Sequence, residues 1–352
     1  MIAKRKVKTV VKEANSGRAQ KKCDLRVLIV VFFAFVSFLF SSFAILIIST
    51  NSPMQEVSTV EEMELLAEKN KENISAISLE IEESCCRSRK LFQSLCSFGF
   101  VKNLSQNMLE GKHTYLVQIG AHTGFEYNDP LANAIISLLD EISTKHGSDE
   151  LRKHFHWIFV EPHPKNFKSL SKNLAAKQSI SDMKGINVAI VPDNTPTEER
   201  DKMIFYGLSD MIDPETGFDS ISNKTLPRWV SQVSGFRKES IMFTKKQFKR
   251  VGLDLNDYII QYKIETKSYS ELMEEIGNEP PFLVLVDTEG YDCKIINSIS
   301  ASSKYYSKYI VYENHCDLPD AIKTEEKLKE LGYTLSNEGE NTYGVRKNSS
   351  QQ

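Results

Sequence analysis

The chain has 352 residues, of which 41% are hydrophobic and 26% are charged, and its formal net charge is -3. This length suffices for one domain of about 230–250 residues with appendages. The charge balance gives no basis for a nucleic-acid partner, because domains that bind nucleic acids are usually strongly basic.

The N-terminal residues predict a membrane anchor. Residues 1–26 hold nine Lys or Arg against two acids, and residues 27–48 carry no charge. At about 1.5 Å per residue, the apolar segment makes a helix of about 33 Å, enough to cross a hydrocarbon core of about 30 Å. Residues 49–83 are acidic, so the positive-inside rule predicts a cytosolic tail and a type II single-pass signal anchor. A cleaved signal peptide, with an apolar core of about 7–15 residues, is the alternative.

The region after the anchor is predicted to be lumenal, with the Golgi as the expected compartment. Residues 49–110 are predicted to form an acidic, partly helical stem. Glycosylation sequons occur at Asn73, Asn103, Asn223 and Asn348, and they fit a lumenal location. No CxxC pair occurs, so a zinc site is not indicated. One or two disulfides with a thiol left over are expected among Cys85, Cys86, Cys96, Cys293 and Cys316.

From Thr114 onward, strand-like runs alternate with helix-like runs. The predicted strands are 114–120, 156–162, 186–191, 262–269, 282–290 and 308–314, and the predicted helices are 129–147, 164–178, 268–277, 292–302 and 319–332. Residues 333–347 predict a hairpin across a glycine-containing turn, and residues 192–255 predict an irregular insertion. Alternating β and α runs with apolar strands predict an α/β fold around a buried, mostly parallel sheet.

Glycines and an acid follow the first two predicted strands. "IGAHTG" places Gly120 and Gly124 in a turn where the backbone can adopt positive φ and a ligand can approach closely. Glu161 lies at the end of the second predicted strand, where nucleoside-binding sheets carry an acid that accepts hydrogen bonds from ribose hydroxyls. Taken alone, the two glycines could mark an ordinary tight turn, and Glu161 could be an exposed glutamate at a strand end. The interpretation as a ligand site therefore depends on the two signals together.

Acids and a histidine follow two later strands. "VLVDTEGYD" supplies Asp287, Glu289 and Asp292, and "VYENHC" supplies Glu313 and His315. Parallel strands present their carboxyl ends at one edge of the sheet, so these groups are expected at a ligand-binding edge. Asp292 as a helix N-cap and His315 as a structural residue are the alternatives.

Five segments in this order resemble the FkbM-type family of S-adenosylmethionine-dependent methyltransferases. They are "VQIGAHTGFEYNDPL", "FVEPHPKNFKSLSKNL", "INVAI", "FLVLVDTEGYDCKII" and "YIVYENH", within residues 114–346. The resemblance implies a Rossmann-like class I methyltransferase sheet over residues 111–348, with helices on both faces and a C-terminal antiparallel hairpin. It also implies S-adenosylmethionine as cofactor, bound by Gln118, Gly120, Ala121, His122, Gly124, Glu161, Pro162 and Asp287.

The expected reaction is O-methylation of a hydroxyl on a glycan or another small acceptor. A positioned base accelerates such a transfer by about 10²–10⁴-fold. The candidates for catalysis are Asp287, Glu289, Glu313 and His315. Asp287 and Glu289 are expected to line the junction of cofactor and acceptor, with Glu313 or His315 as the base, and no metal is expected. Trp229, Phe236 and Phe243 in the insertion could shape the acceptor site or belong to a core.

Two other functions remain open. A Golgi glycosyltransferase could use Asp287-Thr288-Glu289 as a metal-binding acid-x-acid motif, although the glycine turn and Glu161 would have no role in it. A non-catalytic member of the fold is the second alternative. It is favoured only by Gln118, which stands where many family members have an acid.

Overall fold

The computed structural model describes residues 59–87, 93–125, 130–146, 153–178, 181–277 and 279–347. Contacts divide the chain into two compact units, Met1–Ala67 and Glu68–Gln352. The predicted basic tail and apolar anchor lie outside the described residues. Within the described ranges, no helix is both long enough and apolar enough to span a bilayer.

Helices and strands alternate through most of the described chain. The helices are α1 (Thr59–Arg87), α2 (Gln93–Ser97), α3 (Phe100–Leu109), α4 (Pro130–His146), α5 (Pro164–Lys177), α6 (Thr197–Arg200), α7 (Glu239–Met242), α8 (Lys245–Arg250), α9 (Tyr269–Ile276), α10 (Asp292–Ser298) and α11 (Leu318–Glu330). The strands are β1 (Thr114–Ile119), β2 (Phe155–Val160), β3 (Asp182–Ile186), β4 (Ala189–Val191), β5 (Phe205–Leu208), β6 (Phe218–Asp219), β7 (Lys224–Thr225), β8 (Ile259–Tyr262), β9 (Thr266–Ser268), β10 (Leu283–Val286), β11 (Tyr309–Glu313), β12 (Tyr333–Glu338) and β13 (Asn341–Arg346).

A seven-stranded sheet forms the centre, in the order β12-β13-β11-β10-β1-β2-β3. The strands from β3 to β11 in this order run parallel, and β13 is antiparallel to both of its neighbours. The α/β class, the mostly parallel sheet and the C-terminal hairpin are therefore confirmed. The strand order reverses between β1 and β10, which is where open α/β sheets bind their ligands.

Both faces of the sheet are covered by helices. Leu116 of β1 belongs to one apolar cluster and its neighbour Val117 to another, because successive side chains point to opposite faces. Helices α1 to α5 supply side chains to the first cluster, and α9 to α11 supply them to the second. This double burial explains why the strands are apolar at nearly every position.

The second unit begins earlier than the predicted domain boundary at residue 111. Ile81 of α1 is fully buried, Ile77 one turn before it is partly buried, and both join the first apolar cluster with residues of α2 and α3. The Cys86–Cys96 disulfide links α1 to α2. The stem was predicted from the acidic composition of this region. In the structure, the acidic side chains belong to the outer faces of amphipathic helices.

The four predicted sequons differ in their surroundings. Asn73 and Asn223 are exposed, and Asn348 lies outside the described residues. The Asn103 side chain donates hydrogen bonds to Gly99 O at 2.8 Å and to the Tyr309 hydroxyl at 2.7 Å. The Asn103 amide is therefore occupied within the fold, and this sequon does not support a lumenal location.

The third predicted strand, 186–191, is two strands in the structure. β3 ends at Ile186, and β4 pairs in parallel with β9 in a separate two-stranded sheet. Asn187 stands between them and donates its side-chain amide to Glu161 O at 2.7 Å. This bond directs the chain across the end of β2, so that β4 leaves the central sheet.

The insertion extends from the end of β4 to the start of β9. Its strands β5 and β8 pair with each other, so it continues beyond the predicted limit at residue 255. It has an apolar cluster of its own, in which Val230, Ile241 and Phe248 are fully buried. The sequence of the insertion shows no periodicity because its helices and strands are short and surround this cluster.

Candidate functional site

A cavity of about 270 Å³ opens at the carboxyl ends of β1, β2 and β10. It is near the lower end of the range of about 300–1,000 Å³ that small-molecule sites occupy. All eight residues predicted to bind a cofactor line it: Gln118, Gly120, Ala121, His122, Gly124, Glu161, Pro162 and Asp287. The structure thus brings together residues that are up to 169 positions apart in the sequence.

The turn after β1 depends on Gly120. Its φ is 84°, and a Cβ at this position would lie 1.5 Å from the carbonyl oxygen of Asp287. The turn is held on the other side by Val160 O, which accepts hydrogen bonds from the N–H groups of Gly120 and Ala121 at 2.9 and 3.0 Å. Only glycine allows the ends of β1 and β10 to approach this closely.

Gly124 closes the same turn. Its φ is 80°, and its N–H donates to Ala121 O at 2.8 Å. A Cβ here would lie 2.8 Å from a methyl carbon of Leu170 on α5. Both glycines are therefore required by the local backbone, and together they keep side chains out of this wall of the cavity.

Glu161 is the buried acid of the site, only 3% exposed. Its Oε2 accepts a hydrogen bond from the His122 N–H at 2.7 Å, and its Oε1 accepts one from the His163 N–H at 2.8 Å. Two backbone donors therefore fix the carboxylate against the glycine turn. Backbone donors stabilise the ionised form of a carboxylate and orient it for further acceptor interactions.

An apolar wall beside Glu161 was not predicted as part of the site. Val188, Ala189 and Ile190 line the cavity and are buried. The sequence analysis placed them within a strand of the central sheet, where they would have been ordinary core. Their functional position follows from the departure of β4 from that sheet, which only the tertiary structure reveals.

At the other end of the cavity, Asp287, Thr288 and Glu289 follow β10. Asp287 is exposed and Glu289 is partly buried, and both line the cavity. Asp292 is fully buried, and its carboxylate accepts hydrogen bonds from the Thr288 hydroxyl at 2.9 Å and the Thr288 N–H at 3.3 Å. Asp292 therefore braces the loop from within and does not line the cavity.

Glu289 combines backbone strain with an altered acidity. Its φ is 54°, a conformation that L-residues other than Asn and Asp seldom adopt and that costs about 1–3 kcal/mol. Burial, together with the negative charges of Glu313, Asp292 and Glu340, raises the pKa of Glu289 to about 8, and burial is the largest cause. Strained, buried acids with shifted pKa values are concentrated at functional sites.

Glu313 and His315 do not line the cavity but stand near Glu289. The His315 Nδ1 lies 3.0 Å from Glu313 Oε1, and its Nε2 lies 3.8 Å from Glu340 Oε1. Burial raises the pKa of Glu313, and the charge of His315 opposes this shift. Of the four residues predicted to act in catalysis, the structure thus places only Asp287 and Glu289 at the cavity.

A metal centre at Asp287 and Glu289 finds no support in the geometry. Among the residues that the structure describes, only Glu313, His315 and Glu340 bring three possible ligand atoms within 4.8 Å of one another. Asp287 and Glu289 are not in that group. The acid-x-acid metal site of the glycosyltransferase alternative therefore has no third ligand here.

The insertion supplies the remaining wall. Gln232, Ser234, Gly235 and Phe236 line the cavity. The ring of Phe236 lies 5.2 Å from the ring of Tyr291, which also lines it. Of the three aromatic residues considered for acceptor binding, only Phe236 reaches the cavity.

No protein-family model matches the sequence, and no curated protein matches it. Among solved structures, the precorrin-6y C5,15-methyltransferase of Geobacter metallireducens is 10% identical over 67% of this chain and 81% of its own, with a TM-score of 0.26. A Thermoplasma acidophilum protein assigned as a methyltransferase is 10% identical over 68% and 70%, with a TM-score of 0.25. Because these TM-scores are low, neither structure carries an argument about the function of this chain. The resemblance to the FkbM-type family stays a prediction.

We expect Gly120→Ala to destabilise the fold far more than Gly332→Ala. The two glycines have φ values of 84° and 86°, but a Cβ on Gly332 would meet nothing within 4 Å. Gly332→Ala should therefore cost about 1–2 kcal/mol for the left-handed backbone alone. Gly120→Ala adds the collision with Asp287 and should cost about 4 kcal/mol or more. Urea unfolding measures both, and equal losses would contradict the close approach of β1 and β10.

We expect the partly buried Glu289 to make the free energy of unfolding fall as pH rises. In the unfolded chain it loses its proton near pH 4.5, whereas in the folded chain it keeps it to about pH 8. Between these values the folded state binds more protons, so the free energy of unfolding decreases with pH. Glu289→Gln should flatten this decrease in urea titrations from pH 5 to 9, while Glu198→Gln on the exposed α6 should leave it unchanged. A Glu289→Gln curve parallel to that of the native chain would refute the assignment.

Proposed function

We propose that the protein is an S-adenosylmethionine-dependent O-methyltransferase of the FkbM type. The observation that carries the proposal is the convergence of Gly120, Gly124 and Glu161 on one cavity at the point where the strand order reverses. A nucleoside-binding sheet uses this position for its glycine turn and its ribose-binding acid.

The residues present fit the cofactor. The carboxylate of Glu161, already oriented by two backbone donors, would hold the ribose hydroxyls. The apolar wall of Val188, Ala189 and Ile190 would take the adenine ring. Gly120, Ala121 and Gly124 line the cavity without a bulky side chain, so the methionine portion would pass along the backbone there.

When bound, S-adenosylmethionine supplies an electrophilic methyl group, and the protein must align an acceptor oxygen with it. Alignment of this kind contributes several kcal/mol to such displacements. Glu289 lines the acidic end of the cavity and is the group best placed to take the proton of the acceptor hydroxyl on a carboxylate oxygen. Its pKa of about 8 is near the operating range of a general base. Glu313 and His315, considered for this role from the sequence, stand behind it.

The cellular setting of the proposal comes from the sequence alone. The apolar segment 27–48 with its flanking charges supports a type II anchor. A lumenal enzyme in the Golgi would meet glycans and secreted glycoconjugates as hydroxyl acceptors. We therefore propose a glycan hydroxyl as the methylated group and the membrane as the site of attachment.

Cofactor binding tests the proposal directly. Calorimetric titration of the full-length chain in detergent should show micromolar affinity for S-adenosylmethionine, and Glu161→Gln should weaken it at least about tenfold by removing a charged acceptor. Glu198→Gln is the control and should bind normally. A chain that bound a nucleotide sugar with Mn²⁺ but no S-adenosylmethionine would be a glycosyltransferase, and one that bound neither would be a non-catalytic module.

The role of Glu289 is tested by turnover. Glu289→Gln should lower the release of S-adenosylhomocysteine, measured with a mixture of secreted glycans, by about 10²–10⁴-fold, because the base is lost. Its affinity for S-adenosylmethionine should stay within about twofold of the native value, since the change is isosteric. His315→Gln should reduce turnover less. Full activity in Glu289→Gln would reassign the base.

A further inference from the structure

Two cations lie near Tyr291, an aromatic residue that lines the cavity. The Lys294 Nζ lies 4.9 Å from the centre of the Tyr291 ring. The positive charge of Arg237 acts on the same ring and lowers the pKa of the Tyr291 hydroxyl, although burial dominates and raises it. Arg237 immediately follows Phe236, which packs on Tyr291 and lines the cavity. The two cations therefore lie beside residues that line the cavity, although neither cation lines it.

Arg237 also begins a strongly basic segment, residues 237–250. The segment contains one acid, Glu239, and six exposed cations: Arg237, Lys238, Lys245, Lys246, Lys249 and Arg250. Within the described part of the chain, Arg237 alone among the six has a carboxylate within 4 Å, that of Asp317 at 3.4 Å. Six positive charges with so few acidic partners make the local electrostatic potential positive. The segment therefore attracts an external anion.

The basic segment is attached to the loop that carries the proposed base. The Ser240 hydroxyl, at the start of α7, donates a hydrogen bond to Glu289 O at 3.3 Å. A ligand lying along the segment would therefore be next to the loop that carries Glu289. The carboxylates of Glu313 and Glu340 act electrostatically on Glu289, so an anion is repelled on their side and attracted on the side of the basic segment.

An aromatic face accompanies these charges. The rings of Trp229 and Phe243 stack 5.8 Å apart with an interplanar angle of 5°, and Phe243 is 56% exposed. An exposed ring of this kind can pack against the C–H face of a sugar. Cations beside an aromatic face suit a sugar chain that bears acidic groups better than they suit a neutral one.

We propose that the acceptor is a polyanionic glycan, carrying carboxylate or sulfate groups, that docks on the basic segment. Arg237 and Lys294 hold an acidic group beside the sugar whose hydroxyl faces Glu289. This assignment rests on the proposed methyl transfer for its catalytic meaning, but the docking itself does not require the cofactor.

Binding of a fluorescent heparin-derived hexasaccharide to the full-length chain in detergent tests the docking. We expect micromolar binding at low salt that weakens steeply as NaCl rises to about 0.3 M, because exposed charges are screened. Maltohexaose, a neutral chain of equal length, should not bind. Lys245→Glu with Lys249→Glu, one turn apart on α8, should weaken hexasaccharide binding at least about tenfold.

The matched control is Lys168→Glu with Lys172→Glu, two exposed lysines one turn apart on α5. It changes the net charge equally and should alter the affinity by less than about twofold if the docking is local. If both double variants weakened hexasaccharide binding equally, the effect would depend on net charge alone. That result would overturn the proposal. Stronger binding to poly-glutamate, or to vesicles containing anionic lipid, would assign the surface to an acidic peptide or to a membrane.

A separate readout distinguishes this proposal from the proposed function. S-adenosylmethionine titrations of the native chain and both double variants should give the same affinity. Should the native chain bind the hexasaccharide but not S-adenosylmethionine, the methyltransferase assignment fails and the polyanion surface stands. With the cofactor bound, Arg237→Gln should raise the KM for the hexasaccharide more than it lowers kcat, and an effect on kcat alone would remove Arg237 from acceptor binding.

Discussion

The site depends on how closely β1 and β10 meet at their carboxyl ends. The Asp287 N–H donates to Ile119 O at 2.8 Å, and the Asp287 carbonyl oxygen then occupies the volume that a side chain on Gly120 would need. This contact forces the chain to turn immediately after β1. The turn directs the His122 N–H to Glu161, and the same pairing of strands carries Asp287 and Glu289 to the opposite end of the cavity.

The protein places two glutamates in contrasting environments along this cavity. Glu161 is surrounded by backbone N–H donors that favour its charge. Glu289 is partly buried near other carboxylates, and desolvation together with their charges raises its pKa to about 8. Carboxyl groups whose surroundings differ in this way take different chemical roles. The first suits a permanent hydrogen-bond acceptor, and the second suits a group that gains and loses a proton.

Much of this arrangement could be predicted because its signals are local. Each signal can be recognised within a few residues of sequence: the apolar strands, Gly120, Gly124 and the acid at Glu161. The alternation of β and α runs then places them at one edge of the sheet. The positions of Glu313 and His315 could not be predicted. Glu313 ends β11 and His315 lies just beyond it, and sequence alone does not tell which strand-end side chains face the cavity. The burial of Ile77 and Ile81 was hidden by the acidic residues around them.

The insertion was the least predictable part, yet it is firmly joined to the sheet. His163, just after Glu161, is buried, and burial lowers its pKa to about 4, so the ring is neutral and can donate from Nε2 to Leu208 O at 3.2 Å. A Cβ on Gly207 would lie 2.5 Å from this ring, so the glycine in β5 is what lets the histidine fit.

His163 therefore joins two parts of the structure, because its side chain contacts the insertion and its backbone N–H orients Glu161. The far part of the same insertion brings Phe236 to Tyr291 and Ser240 to Glu289. One inserted segment thus contacts both ends of the cavity. Because these contacts join packed elements, we expect a change in the insertion to alter the spacing between the Glu161 end and the Glu289 end of the cavity. Under the proposed function, the insertion is for this reason the part of the chain expected to set which acceptor fits beside the cofactor.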